Sequence, residues 1–181
     1  MKEHVEPIPL YAQGFFIVDS SGLFNQMVIF DYWDPSGYYK KISSDEDLLR
    51  EELEKIKSNM QYFLDCERLL INGEETRPLV KYVSLGFRGK EELPYLFFHI
   101  IFKGEIVEGE NIYEDYFDEE VAEYDYVVTW IFPLGARVVS ADVGVEYSLF
   151  ENRRLLVYHV KAGTTVRGYE KIVFELSKSH R

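Results

Sequence analysis

Only one stretch of this chain, from Ser43 to about Arg68, carries a helical hydrophobic period; the rest is cut into short apolar runs bounded by turn residues. Leu49, Leu53, Ile56, Met60 and Phe63 recur at steps of four and three, which stacks them on one face of a helix. Ser43 with Glu46 three residues on has capping-box spacing, and Asp45, Glu46 and Asp47 complement the positive helix N-terminus. One long helix without regular strand-helix alternation argues against a doubly wound parallel sheet and for antiparallel pairing.

The strand signals come with their punctuation. Gly14 to Asp19 and Gln26 to Phe30 are runs of β-formers separated by Ser20-Ser21-Gly22, and Asp34-Pro35-Ser36-Gly37 is a turn tetrad. Asn72-Gly73 is the pair that a tight type I′ hairpin prefers, because both central residues need positive φ. Val139, Ala141, Val143, Val145, Tyr147 and Leu149 alternate with polar residues, the mark of a half-buried strand, and Ile172, Phe174 and Leu176 repeat the pattern. With Tyr82 to Phe87, Tyr95 to Phe102, Tyr124 to Phe132 and Leu155 to Val160 the set reaches about nine strands. The expected fold class is α+β, mainly antiparallel β: a sandwich or strongly curved sheet with one long amphipathic helix over an apolar face or open end. At 181 residues and 46% hydrophobic content, one core and a single domain over 1–181 are expected.

Charge narrows the partners. A formal net charge of −12 repels phosphate backbones, so direct nucleic-acid binding is not expected. The excess is local: between Lys103 and Arg137 there is no basic residue, while ten acids stand from Glu105 to Asp125. The apolar stretches are too short to span a bilayer, the chain opens with acids and an early proline, and Cys66 is the lone cysteine. A cytoplasmic protein without membrane association is therefore expected, and the Glu- and Lys-rich, Gln-poor composition is compatible with a thermophilic source. Cys66 reads as a small apolar residue of the helix.

Two segments offer binding chemistry. The acidic segment interleaves carboxylates with rings, which suits a short helix or ordered flap with its apolar side on the sheet, or a docking surface for a basic protein. The candidate partner-binding residues are Glu110, Tyr113, Glu114, Asp115, Tyr116, Phe117, Asp118, Glu119 and Glu120. Calcium is a lesser reading, because the register and glycine of a calcium loop are missing. The aromatic turn Asp31 to Tyr39 offers Tyr32, Trp33, Tyr38 and Tyr39 as a stacking platform for a sugar or other small molecule, with hairpin packing as the plainer account. His99 and His159 lie within expected strands and read as structural unless they meet at one pocket, and His4 and His180 fall in the termini. No catalytic residue, metal site or cofactor is indicated. The leading expectation is a non-enzymatic protein-binding or assembly module using the acidic, aromatic-rich surface. The alternative is a small-molecule or carbohydrate-binding domain, or enzyme, with a pocket between helix and sheet that takes in one of His99 or His159.

Overall fold

The structure, a computed structural model, describes residues 6–177, so His4 and His180 lie outside the described residues. In chain order the elements are β1 (Ile8–Val18), β2 (Leu23–Trp33), α1 (Tyr38–Ile42), α2 (Glu46–Cys66), β3 (Arg68–Ile71), β4 (Glu74–Thr76), β5 (Leu79–Phe87), β6 (Pro94–Lys103), β7 (Gly109–Tyr116), β8 (Glu120–Val121), β9 (Asp125–Ile131), β10 (Ala136–Asp142), β11 (Tyr147–Phe150), β12 (Leu155–Val160), β13 (Thr165–Val166) and β14 (Tyr169–Leu176). They form a seven-stranded sheet, β11-β12-β9-β1-β2-β6-β5, a five-stranded sheet, β10-β14-β7-β3-β4, and a ribbon of β8 with β13. The fold is mostly antiparallel β, as the turn spacing predicts, but β1 and β9 pair in parallel.

Among the described residues, fourteen strands and two helices replace the expected set of about nine strands and one long helix. β4, β8 and β13 are two or three residues long and exist through their pairing partners, which no local pattern announces. β7 lies inside the acidic segment, where a helix or flap is expected from sequence.

Local chemistry sets the turns and caps. Asn72 and Gly73 have φ of 52° and 82°, as a type I′ turn requires. Asn72 also clamps the turn onto β7: its Oδ1 accepts from Ile112 N at 2.8 Å and its Nδ2 donates to Asn111 Oδ1 at 2.9 Å. At Asp34 the buried carboxylate accepts from Tyr39 N at 2.8 Å and from the Ser36 hydroxyl at 3.0 Å, tying the turn to the start of α1. The long helix is capped by Asp45, whose Oδ1 accepts from Asp47 N at 3.0 Å and Leu48 N at 3.1 Å. Ser43 is the C-cap of α1 and its hydroxyl donates to Lys40 O, so the Ser43–Glu46 capping box is not formed. The apolar stripe also ends differently: Leu64 is buried, whereas Phe63 is 63% exposed beside exposed Tyr62. Cys66, the last residue of α2, is exposed instead of packed among apolar neighbours.

The alternating run from Val139 to Leu149 is two strands. Val138 opposes Phe174 and Ser140 opposes Val173, so Val139 is the extra residue of a bulge and points outward. The chain then turns at Gly144, φ 76°, and passes from the five-stranded sheet to the edge of the seven-stranded one.

One face of the seven-stranded sheet carries two buried clusters. Under the five-stranded sheet, Trp130 stacks on Phe16 at 4.0 Å between ring centroids, and Tyr113–Trp130 and Phe132–Phe174 contacts at 4.6 and 4.7 Å join the two sheets. Under α2, Leu96, Phe98, Ile100, Val80 and Val83 meet Leu53, Ile56, Met60 and Leu64.

Candidate functional site

The acidic segment supplies the middle strand of the five-stranded sheet, and strand geometry sorts its residues by parity. Asn111, Tyr113 and Asp115 face inward and are buried. Glu110 and Tyr116 are exposed on the other face, Glu114 and Phe117 are half-buried, and Asp118, Glu119 and Glu120 are exposed beyond the strand end. Of the nine candidate partner residues, Tyr113 and Asp115 thus face the core. On the outer face Glu114 accepts from the Tyr169 hydroxyl at 2.9 Å, the Tyr116 ring lies 4.9 Å from that of Tyr169, and the Arg68 guanidinium sits 5.9 Å over Tyr116.

The inward residues assemble a cluster of acids. Glu170 on β14 is directly opposite Asp115 on β7, so two carboxyls share the buried face of one ladder. Glu67, the C-cap of α2 just before β3, continues the inward parity of Leu69 and Ile71 and joins the two acids. The Tyr158 hydroxyl donates to Glu170 Oε1 at 2.9 Å, and the Tyr113 hydroxyl lies 3.4 Å from Asp115 Oδ2. Asp115 Oδ1 and Trp130 Nε1 are buried with no hydrogen-bond partner among the described residues. Loss of water pushes all three carboxyls up, and their mutual repulsion adds to the rise for Glu67 and Glu170. Burial likewise raises the Tyr113 and Tyr158 phenols. Among the described residues no group of three or more His, Cys, Asp and Glu is arranged to hold a metal ion.

The four rings of the aromatic turn do not share one face. Tyr32 and Tyr39 rings lie 6.0 Å apart and Tyr38 and Tyr39 rings 5.3 Å apart, packed with the cluster under α2. Trp33, 42% exposed, pairs with Ile8 on the opposite face of the sheet. A shallow groove between α2 and β5 is lined by Leu49, Arg50, Leu53, Lys57 and Lys81 and includes none of these rings. His99 and His159 share one face of the seven-stranded sheet but stand four strands apart, about 19 Å. His99 Nε2 is 3.1 Å from Asn25 Oδ1.

That second face is the feature the sequence reading missed. Cross-strand register lays a row of Tyr82, His99, Met27, Phe15, Thr129, Val157 and Ser148 across all seven strands. A second row, on one side of the first, is Leu79, Ile101, Asn25, Ile17, Ile131, Leu155 and Phe150; on its other side run Ser84, Phe97, Ile29, Gln13, Val127 and His159. None of these residues belongs to either buried cluster, and the central ones are half-buried. Tyr82 and Phe97 rings are 6.3 Å apart on this face. Charges stand at its rim: Arg88 bonds Asp31 at 2.9 Å and lies 4.5 Å over the Tyr95 ring, and Lys161 bonds Asp125 at 2.6 Å.

No described helix is long and apolar enough to cross a membrane. No family model and no curated protein matches the chain. Among solved structures, the folded domain of LppM from Mycobacterium tuberculosis is similar over 98% of this chain and 96% of that one, at 10% identity and a TM-score of 0.47. An M1 zinc metallopeptidase from Deinococcus radiodurans is similar over 92% of this chain and 42% of that one, at 10% identity and a TM-score of 0.39. An aminopeptidase N family protein from Idiomarina loihiensis is similar over 90% and 29%, at 8% identity and a TM-score of 0.38. These distant likenesses carry no function to this chain.

Proposed function

We propose that this chain is a non-enzymatic docking or assembly module whose main binding surface is the open face of the seven-stranded sheet. One contrast supports the reading. The inner face of that sheet is covered by α2 and the five-stranded sheet, while the outer face, also apolar at its centre, is packed into neither core cluster. Contiguous apolar surface on a chain whose core is already filled marks an association site. The ion-paired rim and apolar centre have the anatomy of an interface.

The test uses a fluorescent probe of apolar surface, 1-anilinonaphthalene-8-sulfonate, with dilute protein. The wild-type chain should enhance its emission, and the triple variant Phe15→Thr, Met27→Thr, Phe97→Thr should lose most of that enhancement while keeping its far-UV circular dichroism. Equal dye binding by both chains would place the dye elsewhere and contradict the reading.

The outer side of β7 gives the module a second surface of opposite chemistry. Glu110, Glu114, Asp118, Glu119 and Glu120 beside Tyr116 suit a basic segment, with the ring as anchor and the acids as steering charge. Binding of an oligolysine peptide that weakens steeply with salt supports this surface; salt-independent binding rejects it.

A further inference from the structure

We infer that the occupant of the open face is a second copy of this chain, docked sheet against sheet about a two-fold axis; this rests on the docking reading above. Charge separates the candidate occupants. The chain carries −12, yet the open face and its rim are balanced. Asp31 is paired with Arg88, Asp125 with Lys161, and Lys103 acts on Asp19 at a third corner. A strongly basic or acidic partner gains no complementary charge there. A surface that is apolar at the centre and internally paired at the rim matches another of the same kind, and a copy supplies it.

The distribution of the remaining charge permits this pairing. Glu110 and Glu114 stand on the outer side of the five-stranded sheet, which packs against the inner face of the seven-stranded one, so they point away from the open face. Face-to-face docking separates the two acidic surfaces by four sheet layers, about 30 Å, well beyond the Debye length of about 8 Å at physiological salt. Size is sufficient too. The six strands that all three rows cross occupy about 29 Å and the three rows about 20 Å, so each copy offers about 600 Å². Two copies bury about 1,200 Å², the lower bound of specific, stable interfaces. A two-fold arrangement needs one self-complementary patch, and β1, the middle strand of the seven, places Phe15 in the middle of its row, where the axis would pass.

Sedimentation equilibrium of the full chain over a wide concentration range tests the inference. The weight-average mass should rise from one chain towards two, and Phe15→Thr should return it to one chain with unchanged far-UV circular dichroism. Independently, Phe15→Cys in a Cys66→Ser background should oxidise to a disulfide-linked dimer. A single-chain mass at every concentration, with dye binding retained by the dilute protein, overturns the second copy and leaves the docking face standing. A single-chain mass without dye binding overturns both. A dimer that survives Phe15→Thr, or one that Phe15→Cys fails to cross-link, places the interface elsewhere and also overturns the proposal.

Discussion

Raising the pH should weaken this protein through its buried carboxyls. Desolvation, with repulsion from Asp115, lifts Glu170 from 4.5 to about 7, and desolvation lifts Asp115 from 3.8 to about 6. Glu67, less deeply placed, rises to about 8 through desolvation and the charges of Asp115, Glu170 and Glu120. Between the unfolded and folded values the folded chain holds protons that the unfolded chain has shed. Stability is therefore full below about 4 and falls as pH rises, by about 1.4 kcal/mol per pH unit for each proton retained, levelling above about 8. For Glu170 alone the full loss is about 3 kcal/mol, and because the pair titrates together the contributions do not add. Urea unfolding at steps from about pH 5 to about pH 8.5 measures this slope. Glu170→Gln keeps an acceptor for the Tyr158 hydroxyl and should flatten the fall, as should Asp115→Asn, whereas Glu110→Gln on the exposed face should leave it unchanged. A wild-type stability that is flat or rising between about pH 5.5 and about pH 8 would refute the buried-acid cluster.

Other consequences are local. Asp45→Ala should cost about 1 kcal/mol in urea unfolding and Ser43→Ala less than about 0.5, because only the Asp45 side chain caps α2. Gly104→Ala would bring a Cβ within 2.5 Å of Ile71 side-chain atoms, and the resulting overpacking should lower stability by about 1–3 kcal/mol. Cys66 is exposed, so Ellman's reagent should titrate one thiol per chain without denaturant; a thiol that reacts only after unfolding contradicts its placement at the end of α2.

What the sequence disclosed and what it hid have separate physical causes. The stripe Leu53, Ile56 and Met60 and the Asn72-Gly73 turn depend on neighbours a few residues away and are as the pattern predicts, whereas Phe63 at the end of the expected stripe is exposed. The sheet partners of the acidic segment are distant in sequence. Carboxylates are poor strand formers, and the inward Asp115 stands opposite Glu170 of β14, which in turn accepts from Tyr158 of β12, while Tyr113 approaches it from its own strand. A signal was nonetheless present: Glu110, Ile112, Glu114 and Tyr116 alternate with Asn111, Tyr113 and Asp115 at the period of a strand. Alternation also misplaced Val139, because a bulge shifts parity and leaves no trace in the hydrophobic pattern.

The open face was legible but unread. Phe15 to Val18, Val28 to Phe30 and Phe97 to Phe102 are runs apolar at both parities, and such strands have two faces to cover. The structure covers one. The aromatic turn divides for the same reason, since consecutive Tyr32 and Trp33 must point to opposite faces, one under α2 and one outward.

The most direct test of the docking account is hydroxyl-radical footprinting of the dilute chain, read at Phe15, Met27 and Phe97 against the inward Phe24 and Phe98. Strong labelling of the first three with Phe24 and Phe98 protected is the predicted result; protection of all five would mean that the face is covered, and would contradict the central claim.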